Sequence, residues 1–275
     1  MSYVIPNNSK SSVILYLDSR DATSYLATKL ETDIDGNSRE INLNSYFQYV
    51  LTENIEVPLN QRALVSLQSA TIPYSFYNIR TDVNDTLIYE ITNVDTASST
   101  NGQIITLTSG NYTAYSLADE IKTIINDNTI DVDYEFGMEY DSDKNKYLYS
   151  ITNNSNGNQL RVDFFFANSI KSCNIEMGFR KRNVGAFTTL SSDNVVDING
   201  SVHGVYVRSN LVSDGTLDTQ NGTFSNIMAR LPINVNPGGI IFTTPNEATF
   251  KSIVDMRSLS SVTIRLTDDR NRLLD

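Results

Sequence analysis

From Leu43 onward the chain is written in short β-branched and aromatic runs separated by Asn, Asp, Gly and Pro turns. Strands of ~5–6 residues joined by frequent turns are the pattern of an antiparallel sandwich or barrel. The runs predict strands over 46–51, 63–72, 87–92, 104–108, 131–136, 146–151, 160–166, 204–207, 227–233, 239–243 and 261–266. In the last of these Val262, Ile264 and Leu266 alternate with Thr263, Arg265 and Thr267, which predicts one buried and one wet face. Ile227, Ala229, Leu231 and Ile233 alternate in the same way. Pro232 lacks a ladder donor, so that strand should be an edge or end there.

The period changes once. In SGNYTAYSLADEIKTIIN (109–126), Leu117, Ile121, Ile124 and Ile125 form one helical stripe. Ser116, with Asp119 three positions on, has the spacing of a capping box. A second, shorter helix is expected around 169–176. The first forty residues are polar and irregular, broken by one apolar run at 13–17 that has the composition of an edge strand. Asp33, Asp35, Gly36 and Asn37 read as a loop. These features divide the chain into an extended arm, 1–41, that packs on the domain or on a neighbour, and a domain, 42–275. An eight-strand sandwich with short connections needs about 150–180 residues. The excess belongs to the arm and to an elaborated insertion roughly within 104–190.

Charge narrows the function. The 21 Lys and Arg against 32 Asp and Glu leave −11, a poor counterion for phosphate. The nearest basic patch, Arg180, Lys181 and Arg182, reads as a solvated turn. No run approaches the ~20 apolar residues of a membrane span, and Met1 to Pro6 lack the basic start of a secretory signal. Asn-x-Ser/Thr sites at Asn84, Asn111, Asn199 and Asn221 are therefore expected to stay bare. Lone Cys173 excludes an internal disulfide framework and reads as a small core residue.

Catalytic chemistry has little to work with. His203 is the one histidine; it excludes multi-imidazole zinc sites, and its neighbours Ser201, Val202, Gly204 and Val205 read as a strand. The densest carboxylates are Asp131, Asp133, Glu135, Glu139, Asp141 and Asp143. The first three share one face of a strand, which reads as solvated. Asp141 to Asn145 resembles the opening of a calcium loop but lacks its Gly and distal Glu, so a hairpin turn is expected. Asp268, Asp269 and Asn271 read as another turn. Gly238 and Gly239 follow Pro237 without the Lys or helix of a phosphate loop. The expectation is no catalytic, cofactor-binding or metal-holding residue. Aromatics are plentiful, with 15 Tyr and 11 Phe, and they cluster at Tyr74, Phe76 and Tyr77 and at Phe164, Phe165 and Phe166. Consecutive aromatics on a strand point to both faces, so one side meets either a partner or a second layer of the same domain.

Six phrases are less generic. SLQSATIPYSFYNI (66–79), ITLTSGNYTAYSLADEIKTIIN (105–126), CNIEMGF (173–179), VYVRSNLV (205–212), NIMARLPINVNPGGIIF (226–242) and VTIRLTDDRNRLLD (262–275) occur in this order. Together they resemble the penton and minor capsid proteins of virophages, Polinton-like viruses and large eukaryotic DNA viruses. The resemblance implies an all-β single jelly roll that assembles as a homopentamer at the fivefold vertex of an icosahedral virion. Its partners would be itself, the double jelly-roll trimers of the major capsid protein and other minor capsid proteins, with no direct nucleic acid and no membrane span. It would be built inside the infected host cell. Related chains continue past the LLD-like ending into one more strand, so the turn at 268–271 is expected to have a return strand that is missing or barely begun. Two alternatives remain: a minor protein cementing capsomers, and a jelly-roll spike binding carbohydrate, for which Tyr140 beside Asp141 is the candidate.

Overall fold

The computed structural model describes residues 12–32, 37–127, 133–155, 157–199, 202–212, 216–218, 223–244 and 251–274. The chain is mainly β, with one α-helix among the described residues. It divides into two compact units, one of Met1–Ile72, Gly204–Ile233 and Ile241–Asp275, the other of Pro73–His203 and Asn234–Ile240.

In the first unit the strands pair in nested order. Tyr46–Glu56 pairs with Ser258–Thr267, and Ala63–Val65 with Ser252–Val254. Ala70–Pro73 pairs with Ile240–Thr243, Gly204–Ser209 with Ile227–Pro232, and Thr216–Asp218 with Thr223–Ser225. Setting aside the 70–73/240–243 pair, the other eight strands nest first with last, second with seventh, third with sixth and fourth with fifth, as one long hairpin. Rolling it brings Gly204–Ser209 beside Ser258–Thr267 and makes the sheet 46–56, 258–267, 204–209, 227–232. That is a single jelly roll. Leu211, Val212, Met228 and Val262 form a buried cluster of this unit, with Leu17, Val65, Val254 and Met256 packed against it.

Two strands depart from simple alternation for identifiable reasons. In Ile227–Pro232 the register slips where Val207 faces Ala229 but Arg208 faces Ile227. Met228 is the extra residue of this bulge, so both Met228 and Ala229 are buried. Pro232 ends that strand, which lies at the sheet's edge, as its missing donor requires. Ser258–Thr267 is central, and the wet face expected of it is covered. Thr263 and Arg265 are half-buried, Thr267 is buried, and the Arg265 guanidinium lies 5.8 Å from the Tyr46 ring centroid.

The amino-terminal residues hold more pairing than their composition indicated. Residues 13–17 form no strand. The edge strand is Ser24–Tyr25, lying on Phe47 and Gln48, and Thr28–Thr32 pairs with Ser38–Asn42 as a hairpin. That hairpin's side chains are largely exposed, so it left no apolar alternation to read.

The second unit is built on Thr86–Asn93, whose Leu87, Tyr89 and Ile91 point inward in strict alternation. Leu160–Phe165 and Gln103–Thr106 flank it, and Asn183–Phe187 pairs beyond the former. A second sheet joins Tyr134–Asp141, Lys146–Asn153 and Thr189–Ser191. The helix, Ala114–Asp127, buries Leu117, Ala118, Ile121 and Ile125. It starts two residues before Ser116. Thr113 is the N-cap: its hydroxyl accepts from the Ser116 N–H at 3.1 Å, while Ser116 Oγ accepts from the Thr113 N–H at 2.9 Å. Its far end is closed by the Tyr134 hydroxyl, which donates to the Ile125 carbonyl at 2.6 Å. No helix forms over 169–176. The chain makes a three-residue 3₁₀ turn, Phe166–Asn168, and a single turn closed by Met177 N–H on the Cys173 carbonyl at 3.0 Å.

Candidate assembly surface

The residues from which chemistry could be built are dispersed or structural. His203 is not in a strand; it sits in an exposed bend before Gly204–Ser209, with Nε2 2.8 Å from Asp197 Oδ2. Cys173 is fully buried, 3.5 Å from Met177 Sδ, and burial pushes its thiol well above the usual range, where it is a poor nucleophile. Asp133, Glu135 and Glu139 face solvent, and Asp131 lies outside the described residues. Asp141 closes a hairpin turn by accepting from the Asp143 and Lys144 N–H groups at 3.0 and 3.2 Å. Tyr140 is spent on its own unit: its ring lies against Tyr115 and Tyr147, and its hydroxyl donates to Asn145 Oδ1 at 2.8 Å. The N–H groups of Gly238 and Gly239 are committed to the carbonyls of Tyr74 and Asn236, so no phosphate cradle forms. Arg180, Lys181 and Arg182 are exposed, and Arg182 pairs with Asp193 at 2.6 Å. Among the described residues no group of three His, Cys, Asp or Glu could hold a metal, and no helix is long and apolar enough to cross a membrane.

Most of the aromatic surplus is core. Tyr74 and Phe76 are buried and stack at 4.5 Å, leaving Tyr77 exposed. Phe164 and Phe166 are both buried, 5.4 Å apart, on the face that strand alternation gives both, and Phe165 between them is half-buried. Tyr149 sits among Phe136, Phe164, Phe179 and Phe187, with its hydroxyl donating to the Met177 carbonyl at 2.8 Å. Burial holds the Tyr149 and Tyr147 hydroxyls well above their usual range.

Two buried polar networks were not visible in the sequence. Asn84 donates to the Asn78 carbonyl and to Glu176 Oε1, at 2.8 and 2.6 Å, pinning the loop after Ile79 to the turn after Cys173. In the first unit Asp268 is fully buried. Its Oδ1 accepts from the Arg270 and Arg272 N–H groups, both at 2.9 Å, and its Oδ2 from Arg272 Nε at 2.7 Å. The turn sends the chain back along Ser258–Thr267, where Leu274 N–H donates to the Leu266 carbonyl at 3.2 Å and Leu274 is buried. The return is one bridge long, Thr267 to Leu273. The four-residue spacing from Asp268 to Arg272 was the available sign.

The roll's surface is more informative than its interior. The Tyr46–Glu56 edge is only partly covered: Ser24–Tyr25 takes Phe47 and Gln48, and Thr23 Oγ1 accepts the Val50 N–H at 3.0 Å. Beyond that the edge carries Glu53 and Glu56, charges that discourage indiscriminate pairing. On the ladder of second and seventh strands, Leu64 and Ile253 stand directly opposite each other and are 60% and 44% exposed. Phe242, in Ile240–Thr243, is 59% exposed, while its neighbour Ile241 is buried. Residues 13–16 add a second uncovered apolar element, with Tyr16 95% exposed. Two distinct apolar surfaces on one roll are what contacts between subunits require.

No family model matches the sequence, and no curated protein matches it. Among solved structures, the chain is similar to the mavirus penton protein, with 11% identity, 84% of this chain and 86% of that chain covered, and a TM-score of 0.47.

Proposed function

We propose that this chain is a non-enzymatic capsid protein, the penton subunit whose homopentamer closes the fivefold vertex of an icosahedral DNA virus. The observation that carries the reading is the nested strand order, together with where the resembling phrases fall on it. SLQSATIPYSFYNI follows the second strand and carries Ala70–Pro73, VYVRSNLV covers most of the third, NIMARLPINVNPGGIIF the sixth and most of Ile240–Thr243, and VTIRLTDDRNRLLD the second half of the eighth. Its partners are its own copies and the double jelly-roll trimers of the major capsid protein, and its work is geometric. The reading includes no catalytic, cofactor-binding or metal-holding residue. The −11 charge leaves the genome to other proteins.

A ring uses heterologous contacts, in which one face of a subunit meets a different face of the next. The like charge of the copies opposes closure over about 8 Å at physiological salt, so association should strengthen with ionic strength. Native mass spectrometry or mass photometry of the full chain should give particles of five times 30.7 kDa, and a virion reconstruction should place them at the vertices. His203→Ala should assemble like the parent. Copies scattered between capsomers would replace the vertex role with a cementing one; a hydrolase activity lost in His203→Ala would end the non-enzymatic reading.

A further inference from the structure

We infer that the outer face of the sheet 46–56, 258–267, 204–209, 227–232 receives the acidic strand Tyr134–Asp141 of a neighbouring copy, with Arg230 and Arg265 meeting Glu135 and Glu139. The inference rests on the self-association proposed above, not on the number five. Register fixes the face. Tyr46 stands opposite Arg265 and Arg265 opposite Arg208, while Thr267 stands opposite Tyr206 and Tyr206 opposite Arg230. Residues directly opposite each other, and residues two apart on one strand, share a face. Val205, Val207 and Val262 take the other parity and are buried, so the arginines lie on the side away from the core.

Arg208 and Arg265 stand directly opposite each other, an arrangement that destabilises a sheet unless something else answers the charge. Arg208 is buried and donates to Thr267 Oγ1 at 3.1 Å. Arg265 and Arg230 each lie 5.8 Å from a tyrosine ring centroid, those of Tyr46 and Tyr206, and among the described residues neither has a carboxylate partner. Arg265 donates to the Asn271 carbonyl at 3.1 Å, and its Nε is buried without a partner. Arg230 is exposed and makes no hydrogen bond among the described residues; its Nε lies 3.0 Å from where a Cβ on Gly204 would stand, so the glycine lets it lie flat on the sheet. The carboxylates nearest in sequence, Asp268 and Asp269, belong to the turn beyond Thr267, and Asp268 is held by Arg272. With that turn included, Arg208, Arg230, Arg265, Arg270 and Arg272 stand against two aspartates, a local +3 on a chain of −11. A guanidinium stacked on a ring is weakly hydrated and offers a planar fork of donors, the geometry that suits a carboxylate.

The chain carries the complement. Glu135 and Glu139 are exposed on one face of Tyr134–Asp141, with Gly137 between them, and neither has an ion pair among the described residues. Asp141, at the end of the same face, is answered by Lys144, and Lys146 opposite it donates to the Asp193 carbonyl. Other surface carboxylates also have cations of their own: Asp18 has Arg20, Asp82 has Lys171, Asp119 has Lys122 and Asp193 has Arg182. Spacing makes the match. Glu135 and Glu139, four residues apart on a strand, are about 13 Å apart. Arg230 and Arg265 are two strands and one row of pairs apart, about 10 Å across and about 7 Å along, hence about 12 Å. The difference is small against the length of either side chain. Such charge pairs set the register and speed of an encounter more than its total affinity. A basic face on one copy meeting an acidic strand on the next is also a heterologous contact, the kind a ring uses, and it locally offsets the repulsion between two acidic chains.

Charge swaps in the full chain, followed by sedimentation at matched concentration, test the contact. Arg230→Glu changes an exposed side chain, so thermal unfolding should match the parent while self-association weakens roughly tenfold or more. Glu135→Arg and Glu139→Arg should each weaken it as well. A specific contact seats the strand in one direction, so Arg230→Glu combined with one of these two, and not with the other, should recover most of the lost association. Glu53→Arg, at an exposed carboxylate of Tyr46–Glu56, restores the same net charge and should not rescue Arg230→Glu. The gap between parent and Arg230→Glu should narrow as salt rises, because screening weakens the pair. An Arg230→Glu protein that associates like the parent overturns the contact. So does rescue by neither glutamate, or rescue by Glu53→Arg as strong as theirs. Fivefold particles indifferent to every swap would sink the contact and leave the vertex reading. Rescue by one glutamate in particles of another symmetry would do the reverse.

Discussion

Asp268→Ala tests how the end of the roll is held. The carboxylate is completely buried and accepts from two backbone N–H groups at 2.9 Å and from Arg272 Nε at 2.7 Å. Hydrogen bonds to a charged group contribute about 1.5–3 kcal/mol each, against which stands the cost of removing the carboxylate from water, several kcal/mol. Breaking a buried pair by deleting one partner usually costs about 3–5 kcal/mol. The Arg272 side chain is 30% exposed and can return to water, which places the net loss near the lower end, about 3 kcal/mol. At roughly 3 °C per kcal/mol for a unit of this size, the melting temperature should fall by about 9 °C. Circular dichroism during urea and thermal unfolding suits a chain without tryptophan, and amide exchange at Leu274 should report the loosened return segment. Asp268→Asn keeps the shape and one acceptor oxygen, so it should lose about half as much. An alanine variant within about 1 kcal/mol of the parent, or an asparagine variant as damaged as alanine, would show that the turn is held by packing of Leu274 and not by the carboxylate.

Two further outcomes follow from buried hydroxyls and a cap. Tyr149 and Tyr147 stay protonated in the folded chain while unfolded tyrosine ionises near pH 10, so the folded state binds more protons there. Their contribution to stability should therefore be constant below pH 10 and fall above it by up to about 1.4 kcal/mol per pH unit per tyrosine; Tyr149→Phe should flatten that alkaline slope, and an unchanged slope in urea titrations would contradict it. Thr113→Ala should cost about 1 kcal/mol and Thr113→Ser almost nothing, measured by chemical denaturation, because the hydroxyl bond to Ser116 N–H is what the cap supplies.

An antiparallel β protein with one helix, and the places of its longer strands, were legible in the sequence; the short strands at 98–99, 183–187, 189–191, 216–218, 223–225 and 252–254 left no run to read. The legible features are local: alternation, turn residues and a 3.6-residue stripe act over a few positions. The helix start was off by two residues because Thr113 and Ser116 form their own reciprocal box, three positions before the Ser116–Asp119 pair of the same spacing. The amino-terminal hairpin was illegible because exposed polar strands have no apolar face to betray them. Which strand pairs with which was not legible, since 46–56 meets 258–267 across some two hundred residues and no local pattern encodes a partner at that distance. The tertiary structure also decided that Asp268 is buried while Asp141, in a turn of similar composition, remains at the surface. Burial of a carboxylate depends on what the rest of the chain places around it: here a returning segment that brings Leu274 and the Arg272 guanidinium back onto the eighth strand.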